Sequence, residues 1–393
     1  MRSSATSSPN TCSDCKEIAV DFSLNDMQAM LLDSVQKFIA NDYDFDTRQA
    51  IAASDEGFSK DVWQTFAELG WTAIPFAEAD GGIDGGAVDM MVVMEQFGRG
   101  LVVEPYLANV ILAGGVLRRV ASAEQKSEWL EPLIGGELQA ALAWVEPQAR
   151  YNTASVTTTA TADGDNWLLT GSKGVVLNGG NAELLIVPAR TGGHTTDTDG
   201  ITLFAVRADD ANVHVQRYPT VDGQQAAEIT LDGVHVGNDH VLGDVGAGFA
   251  ALDASLQDAT LAVCAEAVGI MRIMTEKTVE YSKNRVQFGV PISSFQALQH
   301  RMVDMFTACE QSYSLLVWAA TTVDAGSDDA RRAISAIKYQ IGTAGRKVGQ
   351  EAVQLHGGMG VSWEMDIAHY FKRLTVIDQM LGNADSHLDD LAA

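Results

Sequence analysis

Basic residues are in short supply in this chain. Its 26 lysines and arginines face 52 aspartates and glutamates, a formal net charge of −26. Nucleic acid and anionic membrane surfaces repel such a chain and are excluded as partners. Long apolar runs are also missing. No uninterrupted stretch reaches the length of a bilayer span, and the opening MRSSATSSPNTCSDCKE has no apolar signal core, so a cytoplasmic protein is expected. Cysteine is scarce. Cys12 and Cys15 form one CxxC in a Ser/Thr-rich tail, without the second pair or the histidine that a zinc site needs. Cys264 and Cys309 lie in apolar helical patterns and read as packing residues. Neither a disulfide framework nor a metal site is implied, and no internal repeat is present.

What the chain does contain is enough apolar material for more than one core. It has 393 residues, 46% hydrophobic and 20% charged, a globular profile too long for one small core, so roughly two or three domains are expected. Residues 1–21 are expected to form a disordered tail. From 22 to 135 the apolar period is helical: Leu24, Met27, Leu31, Val35 and Phe38 recur at three- and four-residue spacing behind Ser23 as a cap. DVWQTFAELGWTAI reads as a short helix ending near Gly70, and AVDMMVVMEQFGRG and YLANVILAGGVLRRV are apolar enough to be buried all round. From 136 to 243 the period falls to two, with turns at DGDN, TGSK and NGGN, which predicts a β-sandwich or barrel of roughly seven or eight strands. From 244 to 393 long helices return, one ending at Arg285, one starting at Ser293 or Ser294, one stopping at GGMG and one beginning near Glu364. The expectation is an α+β chain: helical domain, β domain, C-terminal four-helix bundle.

Two turns of that bundle hold more than a turn needs. In YSKNRVQFGVPISSFQALQ, Gly289 and Pro291 suffice to stop one helix and redirect the chain. Around them stand Arg285, whose forked donors match a pyrophosphate, Phe288, and Gln287 and Gln296, whose amides match an adenine edge or a ribose. The second turn, QLHGGMGVSW, supplies Gln354 and the glycines Gly357, Gly358 and Gly360, which let backbone amides approach an anion. Either turn alone is equally a plain helix break with surface amides.

Arg285 to Met305, together with QLHGGMGVSWEMDIAHYFKR, resembles the signature of the acyl-CoA dehydrogenase family. IPFAEADGGIDG and FGRGLVVEPYLANVILAGG resemble the family's N-terminal domain, and GSKGVVLNGGNAELLIVPAR its β domain. The likeness runs from about Phe22 to Leu391. Within the family it is closest in kind to the small subunit of two-component pimeloyl-CoA dehydrogenases, and the paired-subunit steroid side-chain dehydrogenases are also similar. The resemblance implies FAD as cofactor, an acyl-CoA as substrate, α,β-desaturation as reaction, a tetramer, and an electron-transfer flavoprotein as acceptor. It also implies that Arg285, Gln287, Phe288, Gln296, Gln354, Gly357 and Gly358 hold the adenine and pyrophosphate end of an FAD bound in the neighbouring subunit.

The rest of the family pattern is broken. Where members carry Thr-Glu-Pro-Gly-Ala-Gly-Ser-Asp, this chain has VEPQARYN, with Val145 for the Thr, Gln148 and Arg150 for the glycines and Tyr151 for the Ser. Where they carry Trp-Ile-Thr against the isoalloxazine, it has Val175, Val176 and Leu177. The usual catalytic Glu position holds Leu381, and the alternative position on the first bundle helix falls at about Ala259. Asp258 is one residue away, about 100° round a helix, and Asp385 is the other nearby carboxylate; either reads more simply as solvated. His300 and His369 read as surface or packing residues, Glu266 as a buried partner of an arginine, and DSHLDD as a solvated helix end. The resemblance therefore implies a small subunit, α2β2 with a larger acyl-CoA dehydrogenase, that completes its partner's FAD site. A homotetramer with an unusual base and a flavin-free scaffold subunit are the other two readings.

Overall fold

The computed structural model describes residues 24–392. The CxxC of Cys12 and Cys15, the tail 1–21 and Ser23 lie outside the described residues. The first helix, α1 (Asp26–Asp42), is capped by Asn25, whose side chain accepts from Gln28 N while the Gln28 side chain accepts from Asn25 N. That reciprocal box replaces the serine cap expected from sequence. α1 buries Val35 and Phe38, while Met27 stays exposed.

α2 (Phe45–Ala52) follows behind the Asp44 cap, and α3 (Lys60–Glu68) behind Ser59. α4 (Ala87–Gly100) and a rod made of a π-helical stretch, Leu107–Ala113, continued by α5 (Gly114–Val120), run through the centre. α6 (Ala123–Gln125) and α7 (Glu131–Ile134) lead to the sheet.

The β region holds β1 (Ala140–Leu142), β2 (Thr159–Asp163), β3 (Asn166–Leu177), β4 (Leu184–Arg190), β5 (Ile201–Arg207), β6 (Val213–Pro219), β7 (Gln225–Gly237) and β8 (Val241–Leu242). Their order is β6-β7-β3-β2-β4-β5-β8, with β1 parallel to β4. The halves meet at a single pair, Thr159 with Arg190, and enclose one core: Leu169 and Ile229 come from one half, Val187 and Phe204 from the other. β4 is buried along its whole length. The reason is its period of two: Leu184 and Ile186 enter the helical core while Leu185 and Val187 enter the β core. A strand covered on both faces loses polar alternation, which is why LLIV reads as a continuous apolar run.

α8 (Phe249–Asn284), α9 (Gln296–Asp324), α10 (Ala330–His356) and α11 (Asp366–Gln379) form the bundle, with α12 (Ala384–Ala392) against α10. α9 has no serine cap. Ser293 and Ser294 sit in a 3-10 turn before it, and the Ser294 hydroxyl donates to Pro291 O. Cys264 and Cys309 are buried as packing residues.

One apolar core runs from Val35 through Met94 and Val268 to Ile377, so the N-terminal helices and the bundle share it. α4 and α8 cross at two glycines. A Cβ on Gly98 would lie 2.0 Å from Glu266 O, and one on Gly269 would lie 1.9 Å from Glu95 O. Asp324 at the end of α9 accepts from Ala87 N and Val88 N, capping α4 from the far end of the chain. No helix among the described residues is long and apolar enough to cross a membrane.

Candidate functional site

The two glutamine-bearing turns lie together. Tyr281, one turn before Arg285, stacks on His356, two residues after Gln354, at 4.3 Å between ring centroids, and its hydroxyl donates to His356 O. Beyond Tyr281 the chain forms a hairpin, β9 (Val286–Gln287) with β10 (Val290–Pro291). Its two turn residues, Phe288 and Gly289, have φ of +57° and +80°, the left-handed pair that a two-residue hairpin turn needs. Phe288 is 92% exposed and meets the edge of Phe295. The side chains of Arg285, Gln287, Gln296 and Gln354 are all exposed, and none makes a hydrogen bond or ion pair among the described residues. Gly357 and Gly358 have open space where a Cβ would stand. One end of the bundle therefore carries a guanidinium, three amides and bare backbone, all open to solvent.

The second region lies between the sheet and the end of α11. Its loop is fastened from below by Glu146, whose carboxylate accepts from Lys173 Nζ (2.7 Å), from Thr157 N and Oγ1 and from Thr158 N. Lys173 also donates to Pro188 O. Both side chains are fully buried. Burial pushes the Glu146 carboxyl up, but the Lys173 ammonium and the threonine donors outweigh it and hold it at about 2. Burial pulls the Lys173 ammonium down to about 8 against the attraction of Glu146. In acid the lysine is charged in folded and unfolded chains alike, so only the carboxylate counts. Its stabilisation is complete above the ordinary value of 4.5 and is lost as pH falls toward 2. About 3 kcal/mol disappears across that window. Acid unfolding followed by circular dichroism should steepen below pH 4.5, and Glu146→Gln should flatten it; an unchanged acid limb in the variant contradicts the assignment.

Above that fastening the side chains are bulky. Val175 stands half exposed at φ +48°, and Arg150 at +49°. Tyr151 reaches across and donates its hydroxyl to Gln379 Oε1 at 3.2 Å, bridging the loop and α11. Neither hydroxyl nor aromatic platform stands at Val145, Val175 or Leu177.

Leu381 sits in the α11–α12 turn at φ +56°, a conformation that costs a leucine roughly 1 kcal/mol. The turn is held from both sides. Lys338 of α10, fully buried, donates to Ile377 O (2.9 Å), Asp378 O (3.2 Å) and Gly382 O (2.6 Å). His387 of α12 places Nε2 2.9 Å from Leu381 O and Nδ1 3.2 Å from Ser335 Oγ. A carbonyl only accepts, so Nε2 carries the proton. Burial keeps the imidazole below its ordinary pKa. Leu381 and Gly382 line a cavity of about 440 Å³ together with Trp144, Tyr151, Gln257 and Thr260. The geometry that presents residue 381 to this cavity is rigid, and the group presented is aliphatic.

Three family models cover these regions in order: acyl-CoA dehydrogenase N-terminal domain over residues 25–137, middle domain over 141–234 and C-terminal domain over 246–393. A 3-(aryl)acrylate reductase of Clostridium sporogenes is 30% identical over 325 residues, 81% of this chain and 86% of that protein. The chain belongs to the acyl-CoA dehydrogenase family. Among solved structures, PigA with FAD and proline matches at 27% identity and a TM-score of 0.88, covering 95% of this chain and 98% of that one. A ChsE4–ChsE5 complex from Mycobacterium tuberculosis matches at 25% identity and a TM-score of 0.85, with shares of 95% and 98%.

For a member of the acyl-CoA dehydrogenase family, an oxidoreductase family, the carboxylates matter most. Asp253, Asp389 and Asp390 share the cavity wall with Leu381, Asp253 being paired with Arg331, whereas Asp258 and Asp385, singled out from sequence, do not line it. Asp258 faces away from the 440 Å³ cavity: Arg118 and Arg119 both donate to its Oδ2, at 2.5 and 2.7 Å. Ala259 is fully buried in the core. Asp385 is exposed, and its carboxylate makes no hydrogen bond or ion pair among the described residues. Glu266 receives Arg373 in a two-pronged pair, Nε to Oε1 at 2.5 Å and Nη2 to Oε2 at 2.7 Å. His369 is buried against Trp363 and Phe45, and His300 is exposed. The acidic tail read as a solvated helix end is corrected in part, since α12 buries Ala384 and His387. Sequence reasoning also passed over Lys338 and the Tyr151–Gln379 bridge. A lysine inside the apolar pattern AISAIKYQI was the available signal for the first; the second joins residues 228 apart and left none.

Proposed function

We propose that this chain is the small, non-base-bearing subunit of a heteromeric acyl-CoA dehydrogenase, α2β2 with a larger homologue whose FAD site it completes. The observation that carries this reading is the contrast between the chain's two half-sites. Arg285, Gln287, Phe288, Gln296, Gln354, Gly357 and Gly358 gather at one exposed bundle end with donors to offer, and they fit the adenine and pyrophosphate end of FAD. The other half does not fit the isoalloxazine: Val145, Val175 and Leu177 offer it no hydroxyl or ring, and Tyr151 bridges to Gln379 beside it.

Flavin in such an assembly supplies hydride acceptance from the β-carbon. The α-proton needs a positioned carboxylate, and Leu381 cannot provide one, so the base belongs to the partner. The ChsE4–ChsE5 complex, named as a two-component assembly, supports a heteromeric arrangement. The likeness to pimeloyl-CoA small subunits favours a dicarboxylyl or otherwise bulky acyl-CoA in β-oxidation, with an electron-transfer flavoprotein as acceptor.

The test is bound flavin per protomer, read by visible absorbance for the chain alone and co-expressed with candidate partners. The expected outcome is none alone and about one per two protomers in the complex. Full flavin in the lone chain overturns the proposal in favour of a homotetrameric enzyme.

A further inference from the structure

A second cavity lies on another face of α8. Along that helix Gln257 and Thr260 face the 440 Å³ cavity by Leu381, whereas Asp258, Leu261 and Ala262 face a separate one of about 280 Å³. At 100° per residue the two sets centre on different sides of the helix and adjoin at Gln257 and Leu261, which are about 40° apart. The walls of this second cavity are apolar, with Met90, Ile111, Leu261 and Ala262 among them. Arg118 and Arg119 stand at its polar side, each about a quarter exposed.

These two arginines are adjacent, and they converge on one carboxylate oxygen, Asp258 Oδ2. Arg118 Nη1 also donates to Pro75 O, and Arg119 Nη1 to Gly115 O and Ser255 Oγ. Each guanidinium carries five N–H donors, so both keep donors beyond these bonds. The remaining charged group on the cavity wall, Asp324, is engaged by the backbone amides of Ala87 and Val88 at the α4 N-terminus. Two guanidiniums and two carboxylates make the wall formally neutral, but Asp324 is turned to the α4 amides, and the guanidinium pair shares the single carboxylate of Asp258. An apolar chamber with a guanidinium pair at one wall suits an amphipathic anion.

We propose that this cavity is a ligand site for a small monocarboxylate with an apolar body, separate from the cleft beside Leu381. The carboxylate meets Arg118 and Arg119, and the hydrocarbon fills the space between α4, the Leu107–Val120 rod and α8. At the ~30 Å³ that a water occupies in the liquid, the cavity holds about nine such units, which is the size of octanoate. The site does not depend on the flavin assignment, because it uses none of the residues at the bundle end.

The probe is octanoate, titrated calorimetrically into the full chain, with octan-1-ol and octylamine as matched controls. One octanoate per chain should bind, and both controls should bind about tenfold more weakly or not at all, since only the carboxylate uses the guanidinium pair. Ala262→Phe fills the cavity and Arg119→Gln removes one cation; each should weaken octanoate by about tenfold or more. Ile111→Phe is a second filling variant should Ala262→Phe fail to fold, with a thermal melt as the check. Gln257→Trp, which obstructs the other cavity, should change nothing. Absence of binding up to about 5 mM, equal binding of octan-1-ol, or loss of binding in Gln257→Trp with retention in the filled variants overturns the proposal.

Discussion

Arg373→Leu should lower the unfolding free energy by about 3–5 kcal/mol, the cost of leaving buried charges without their partner. Its guanidinium is almost wholly buried and meets two carboxylates: Glu266 of α8 through Nε and Nη2, and Asp222 of the β6–β7 turn through Nη1 at 2.8 Å. The backbone oxygen of Asp222 accepts in turn from Arg48 of α2 at 2.6 Å. One side chain therefore ties α11 to α8 and to the β region, beside a second arginine from the N-terminal helices. Without it, two carboxylates share a dry site and repel each other. Denaturant unfolding of the parent and of Arg373→Leu measures the difference. A double variant, Arg373→Leu with Glu266→Leu, should recover part of it, because an apolar replacement of the main pair leaves fewer stranded charges. An unshifted midpoint in the single variant would show that the triad adds nothing.

Arg285→Ala should leave the fold intact and weaken flavin binding in the assembled enzyme by about 30-fold, which corresponds to the ~2 kcal/mol of a charge-assisted contact. The Arg285 side chain is exposed and unpartnered among the described residues, so its loss removes nothing from this chain's own packing. Flavin content of the complex after dialysis, against a thermal melt of the same sample, separates the two effects. Arg285→Lys should recover only part of the affinity, since an ammonium is a point charge without the planar fork. Unchanged flavin content in Arg285→Ala would make the chain a scaffold rather than a contributor to the site.

Much of the fold was legible because period and turn chemistry are local signals. The shift from a helical period to a period of two appears at the sheet, and GGMG stops α10 in a 3-10 turn at Gly357–Val361. α2 was not legible: FDTRQAIA has no apolar stripe, and it buries Arg48 instead of an aliphatic side. The α1 cap was misplaced because a capping box depends on which side chain turns back, and Asn25 with Gln28 does so here. At the site, the turns bearing Arg285 and Gln354 could be found from residue type alone. Their proximity rests on the Tyr281–His356 stack, a contact across 75 residues. Lys338 was invisible as a support of residue 381 for the same reason, since the carbonyls it meets lie 39 to 44 residues on. His387 meets Leu381 O across only six residues and was hidden because a backbone acceptor leaves no mark on residue type.

The close crossing of α4 and α8 has a consequence for how the molecule comes apart. With Gly98 and Gly269 bringing the two backbones into contact and Asp324 capping α4, the early and late helices are one solid body divided only in the order of synthesis. A nick in the exposed connection between β4 and β5, around residues 192–199, would sever the polypeptide without parting it. The two fragments would stay clasped through the shared helical interior and the β4–β5 pairing.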